Sequence, residues 1–212
     1  MVHFEAPTSA DVPQEMEKFV QWFNNDDLST LDIVTKSLVK SSIAHLYFES
    51  IHPFEDGNGR FGRALAEYAL SSTLRSPVLL SISKVIDKNK TRYYDALKSA
   101  QSSLEISMWI DYFAQVILDA QIDAIQLVEF TVKKVLFFDR FKGLLNEREF
   151  KVISRMFEAG VEGFKGGMTA KKYCIITKTS KATATRDLQH LREIFALNVA
   201  GAGRSVRYEL VL

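Results

Sequence analysis

The 212-residue sequence predicts a mainly α chain: an all-helical core behind a short extended segment, then a small module of helices closed by a β-hairpin. Three observations carry this. Apolar residues recur at i, i+3, i+4 and i+7 over most of residues 12–142. The pattern changes at Asn146, where shorter helical segments and a glycine-rich connector begin. The last residues read as two strands around glycines. Near-average composition, 47% hydrophobic and 25% charged, suits one domain with a real core plus a small satellite. The division falls at residues 1–142 and 146–212.

Val2 to Ala6 has an extended character, ended by Pro7. Met16, Phe19, Val20 and Phe23 share one helical face, with Asp11 as cap and Pro13 in the first turn. A second helix spans Leu31 to Ser50, with Ser29 and Thr30 as candidate caps. Pro53 disfavours helix at His52, so the chain turns there. The third helix opens at Gly59 or Arg60 and ends near Leu74, before Ser76 and Pro77. Tyr93, Tyr94, Leu97, Ala100 and Leu104 suggest the next. A long helical stretch follows from Ser107 to Lys142, with a break expected at 120–124. Glu147 to Glu158 turns Phe150, Ile153, Met156 and Phe157 inward. Thr169 to Ile176 is a short helix. Ser180 caps another that runs to Phe195, and Val199 to Leu210 forms the hairpin.

Formal net charge is +1, which argues neither for nor against nucleic acid as a partner of the whole chain. Cys174 is the single cysteine, so an intrachain disulfide is impossible and a reducing compartment fits. With no apolar run of membrane-spanning length and no signal peptide, the sequence reads as cytoplasmic, with no membrane partner.

The chemistry gathers in His52-Pro-Phe-Glu-Asp-Gly-Asn-Gly-Arg-Phe-Gly-Arg63. Gly57 and Gly59 free the backbone around Asn58 to turn its N–H groups into one concavity. A glycine loop feeding a helix N-terminus is a ready anion site. Arg60 and Arg63, three apart, share a helix face in that first turn, where positive charge is unfavourable unless an anion is bound. Asp56 offers the hard oxygen that Mg²⁺ prefers. His52 can accept a proton near neutral pH. Any one of these alone is usually a turn, a helix end or a solvated face; their joint spacing points to a nucleotide-binding catalytic loop.

The stretch matches His-x-Phe-x-Asp/Glu-Gly-Asn-Gly-Arg-x-x-Arg at every fixed position, and the chain therefore resembles the Fic family. That resemblance implies transfer of AMP from ATP to a Ser, Thr or Tyr hydroxyl of a target protein or of the chain itself. It makes His52 the general base, with Arg60 assisting on the α/β-phosphate region. Phe54 anchors the loop in the core, and Asp56 holds Mg²⁺. Gly57, Asn58 and Gly59 cradle the phosphates, and Arg63 reaches the γ-phosphate. Tyr94 and Gln101 match positions that contact adenosine in relatives, although asparagine is commoner where Gln101 stands. His45 reads as a core or supporting histidine. Family members that transfer a phosphoryl group carry lysine where Gly59 stands.

The resemblance also implies a flap at Val2 to Ala6 that docks the target by strand addition. Relatives usually have further chain before this point, so the sequence is expected to begin inside the family pattern. No Ser/Thr-x-x-x-Glu-Gly/Asn inhibitory motif is found; Glu162-Gly163 has Glu158 where Ser or Thr belongs. The last 67 residues resemble the winged helix that many Fic proteins carry. There Lys181, Thr183, Thr185, Arg186 and Gln189 would face a DNA groove, with Arg204 and Arg207 on the wing. A homodimer is compatible with the sequence. The alternative reading is a DNA-binding regulator whose Fic domain uses another nucleotide or removes AMP from a target.

Overall fold

The architecture comes from a computed structural model, which describes residues 5–25 and 28–212, apart from the side chain of Arg204. Among these residues the chain is mainly helical, with nine α-helices and one two-stranded sheet. It divides into two units, Met1–Ala124 and Ile125–Leu212.

The first unit is organised around a helical hairpin of α2 (Ile33–Ile51) and α3 (Asn58–Leu74). Ala44, Ala66 and Ala69 are fully buried, and side chains this small let the two backbones approach closely. Ser41 crosses the seam, donating to the Ala66 carbonyl at 2.8 Å. Ser37 and Ser42, also buried, return their hydroxyls to Val34 and Leu38 of their own helix. Each of these three buried hydroxyls is thus paired, as a buried polar group requires. Asp32 caps α2 by accepting from the Val34 and Thr35 N–H groups. Ser29 and Thr30, the caps the sequence suggested, lie too far upstream.

Around the hairpin stand α1 (Val12–Asn24), α4 (Ile82–Lys88), α5 (Lys90–Gln101) and the first part of α6 (Ser107–Arg140). Leu46, Leu70, Ile82, Trp109 and Phe113 form the main core. Phe19, Phe48 and Ile51 form a smaller one under α1. The carboxylate of Asp11 accepts from the Thr8 hydroxyl at 2.6 Å instead of capping α1. Helix α4 was not foreseen, since seven residues are too few for a periodic signal. The expected break at 120–124 is absent, and α6 is helical throughout. Leu104, placed on a helix face by spacing, stands outside α5 and is fully exposed.

The second unit takes α7 (Glu147–Phe157), α8 (Ala170–Thr177), α9 (Lys181–Glu193) and the strands β1 (Leu197–Ala200) and β2 (Arg207–Leu210). The strands pair antiparallel, Leu197 opposite Leu210 and Ala200 opposite Arg207. Met168 adds a bridge to Tyr208, fastening the glycine-rich connector to the hairpin. Gly167 lies beside that bridge at φ +60, where an added β-carbon would stand 3.0 Å from the Tyr208 carbonyl oxygen. Asn146 and Glu149 form a capping box at α7, and Ser180 caps α9 as the sequence predicted. Val152, Ile153, Met156 and Phe157 point inward, but Phe150 is 53% exposed. Helical spacing had put Phe150 inside; it lies instead at the edge of the buried face, its ring 5.3 Å from that of Phe138.

Val2, His3 and Phe4, most of the expected flap, lie outside the described residues. Residues 5–8 form no strand. Among the described residues no helix is long and apolar enough to cross a membrane.

Candidate active site

The signature stretch forms the turn between α2 and α3, and its geometry follows from its residue types. His52 closes α2 in the left-handed region (φ 51, ψ 54), its N–H still bonded to the Phe48 carbonyl. A left-handed histidine is sparsely populated and strained, and the conformation frees its exposed side chain from the helix. Gly57 starts α3 at φ +90, a conformation open to glycine and costly for other residues.

Asn58 sets the shape of the loop. It is 3% exposed, and its amide donates to the Phe54 carbonyl at 2.6 Å while accepting from the Phe54 N–H at 2.9 Å. Its side chain is therefore committed to the loop, and only its backbone remains for a ligand. Phe54 is 44% exposed and leans on Phe48 and Phe61, so it is no core anchor. The amide brace performs the anchoring that had been assigned to the ring.

Both arginines fold back over the glycines. A β-carbon at Gly57 would stand 3.3 Å from Arg60 Nη2, and one at Gly59 would stand 3.0 Å from Arg63 Nη1. The glycines therefore also clear space for guanidinium groups above the loop. Arg60 pairs with Asp56 at 3.1 Å, with both side chains largely exposed. A pair so exposed is weak and opens at little cost to an anion and a cation. The other Asp56 oxygen accepts from the Gly57 N–H at 2.7 Å. Arg63 lies one turn further into α3 than the first turn expected for it, and its Nε donates to Ser83 Oγ on α4 at 2.7 Å.

Beneath the loop is a buried polar cluster. His45 is fully buried, bonded through Nε2 to the Tyr93 hydroxyl at 2.9 Å and stacked on Trp109 and Phe113. Burial pushes it down to about 4, and the Arg63 charge adds to that. It is a neutral core histidine. Glu49, 7% exposed, is raised by burial against the opposing pull of His52 and Arg63. Among the described residues, Glu49 Oε1 and His45 Nδ1 are the buried side-chain atoms that lack a hydrogen bond.

Gln101 reaches the last turn of α2, with Nε2 3.4 Å from the Glu49 carbonyl oxygen and 3.5 Å from Ser50 Oγ. Tyr94 lies two turns earlier on the same face of α5 and is 62% exposed, with its ring edge-on to buried Tyr93. The structure thus brings Asp56, Gly57, Asn58, Gly59, Arg60 and Arg63 into the loop after His52 and the first two turns of α3, and Gln101 to the helix end before it. Sequence reasoning missed Glu49, Gly62 and Ser83. Only Gly62, a glycine within a helical pattern, carried a local signal.

No cluster of three or more His, Cys, Asp or Glu side chains suited to a metal occurs among the described residues. One exposed carboxylate beside an anion loop fits Mg²⁺, which commonly takes one or two protein oxygens and completes its shell with phosphate and water.

Residues 1–70 match the Fic/DOC family profile. A probable protein adenylyltransferase of Aquifex aeolicus is 38% identical over 98 residues, 46% of this chain and 27% of that one. Protein adenylyltransferase Fic of Drosophila erecta is 33% identical over 94 residues, 44% of this chain and 17% of that protein. The aligned stretch is thus less than a third of either relative's length. A crystal structure of a Fic family protein from Desulfovibrio desulfuricans aligns over 97% of this chain and 57% of its own, with 22% identity and a TM-score of 0.48.

Proposed function

The chain carries a Fic/DOC family domain, and from that premise we propose that it is a protein adenylyltransferase, moving AMP from ATP to a protein hydroxyl. One observation carries the reading. A glycine loop at a helix N-terminus lies under two guanidinium groups, with an exposed carboxylate and an exposed histidine at its edges. Such a loop suits a polyphosphate. The names of relatives that match under half of this chain support the reaction class.

In this reading His52 takes the proton of the attacking Ser, Thr or Tyr hydroxyl. The hydroxyl oxygen bonds to the α-phosphorus while the bond to the bridging oxygen breaks, and pyrophosphate leaves. Arg60 leaves Asp56 for the α/β-phosphate region, and Arg63 meets the terminal phosphate. Charge on the phosphate oxygens grows where these donors already stand, so little reorganisation is needed. Mg²⁺, held by Asp56 and the phosphates, would neutralise charge on the departing pyrophosphate. Tyr94 and Gln101 would border the adenosine, and residues 2–6 would present the target segment.

The test is to incubate the chain with Mg²⁺ and each of the four nucleoside triphosphates and to weigh it and candidate targets intact. Gain of one AMP unit with ATP alone is expected. No covalent gain with any nucleotide overturns the proposal, and removal of AMP from a labelled target would favour the reverse reaction.

The second unit carries a separate reading, as a winged helix on duplex DNA. Helix α9 exposes Lys181, Thr185, Arg186 and Gln189 along one side. Thr183 is half-buried, and Arg207 is already paired with Glu209 at 2.9 Å, so the helix rather than the wing would dominate. A mobility shift with duplex DNA that weakens steeply with salt is expected; absence of a shift counts against it.

A further inference from the structure

We propose that Ser83 is a positioning residue, which fixes the Arg63 guanidinium so that its Nη1–Nη2 edge faces the terminal phosphate of a bound nucleoside triphosphate. This rests on the nucleotide-binding reading given above. Arg63 Nε donates to Ser83 Oγ at 2.7 Å, and Nη1 lies 3.0 Å from the point where a Gly59 β-carbon would be. One end of the guanidinium is thus fastened while the other lies over the anion loop. A guanidinium grips phosphate best through two parallel N–H donors on one edge. With Nε engaged by a neutral hydroxyl, the edge left for such a grip is Nη1–Nη2.

Ser83 is itself held in place. The N–H of its neighbour Ile82 donates to Glu67 Oε1 at 3.2 Å. Glu67 stands four residues after Arg63, hence on the same face of α3. Two successive side chains of α3 therefore grasp the start of α4, one through a backbone N–H and one through a hydroxyl. The Ile82 side chain is fully buried, which fixes the depth of that contact. The hydroxyl is a fixed stop on a docked helix, and it spares Arg63 the ordering cost of a free side chain when an anion arrives.

Losing that pre-ordering should weaken the terminal-phosphate contact by about three- to tenfold. Calorimetry with Mg²⁺ on the full chain, Ser83→Ala and Ser83→Thr tests it, using ATP and AMP as probes. The expected result is three- to tenfold weaker ATP binding by Ser83→Ala, AMP binding unchanged within about twofold, and recovery in Ser83→Thr. Equal ATP affinity in Ser83→Ala and the parent overturns the inference, as does an equal loss for AMP, which would mark a general structural defect. If the parent binds no ATP, the nucleotide reading falls and takes this inference with it. A nucleotide-free readout separates the two failures. The Arg63 Nε–H resonance should shift and exchange faster in Ser83→Ala, and an unmoved resonance would overturn the hold on its own.

Discussion

The β-carbon that Gly62 lacks would stand 2.6 Å from Glu49 Oε1 and 3.0 Å from His45 Nδ1. Helix α3 therefore lies on α2 at a distance that only hydrogen allows, directly above two buried atoms that lack a hydrogen bond. Gly62→Ala should lose stability although alanine is the better helix former. The propensity gain is about 1 kcal/mol, whereas overpacking a closed core costs about 1–3 kcal/mol. Glu49 cannot swing away because it is buried, and His45 is wedged against two aromatic rings. A lower melting temperature is expected, and an unchanged or higher one would show that α2 and α3 can separate freely.

His45 makes the first unit sensitive to acid. Its folded value is pushed down to about 4 by burial, below the ordinary 6.5, so the unfolded chain binds the proton more readily. Its contribution is complete above pH 6.5 and is lost as pH falls toward 4. A shift of this size corresponds to roughly 3 kcal/mol. Urea unfolding of the chain and of His45→Gln should diverge in slope across that window, the parent losing stability faster. Parallel curves would mean that His45 is protonated in place.

The second unit should depend on Asp187, a buried carboxylate of α9. Asp187 is 5% exposed, and accepts from Arg148 through both oxygens (2.8 and 3.2 Å) and from the Tyr173 hydroxyl at 2.8 Å. Burial pushes its carboxyl up, but the Arg148 and Tyr173 hydrogen bonds outweigh that and hold it below its usual value. The brace is therefore intact above about pH 4 and weakens below it. Asp187→Ala leaves a buried tyrosine hydroxyl unpaired and should cost about 1–3 kcal/mol. Asp187→Asn, which keeps an acceptor for Tyr173, should cost less. Thermal melts that fail to rank the two in that order would show that the brace is incidental.

Legibility in the sequence followed signal length and locality. Helices α2, α3 and α6 announced themselves because each repeats its apolar spacing over several turns. The seven residues of α4 could not, and with α4 went Ser83, whose contact with Arg63 spans 20 positions. Likewise, spacing placed the glycines and arginines in one turn, but not the folding of each guanidinium over a glycine. Asp32 outcompeted Ser29 and Thr30 as cap because its carboxylate meets two N–H groups at once. Phe150 shares helical spacing with Ile153 and Phe157, but the buried face of α7 is centred on Glu149, Val152, Ile153 and Met156, which leaves Phe150 at its margin against Phe138.

The Asn58 brace separates loop shape from chemistry. Asn58→Ala would leave both the N–H and the carbonyl of Phe54 without their present partners, at a cost of about 1–3 kcal/mol. Asn58→Asp should fall between the parent and the alanine variant: a carboxylate still accepts from the Phe54 N–H but repels the Phe54 carbonyl. Since the brace sets the backbone that would meet the phosphates, nucleotide affinity should fall in the same order. His52→Ala should behave differently, keeping nucleotide affinity within a few-fold while abolishing transfer, because a general base acts only in the chemical step. Paired binding and transfer measurements on the three variants check this. Loss of both properties in His52→Ala would assign His52 to loop structure, and full transfer by that variant would remove it as the base.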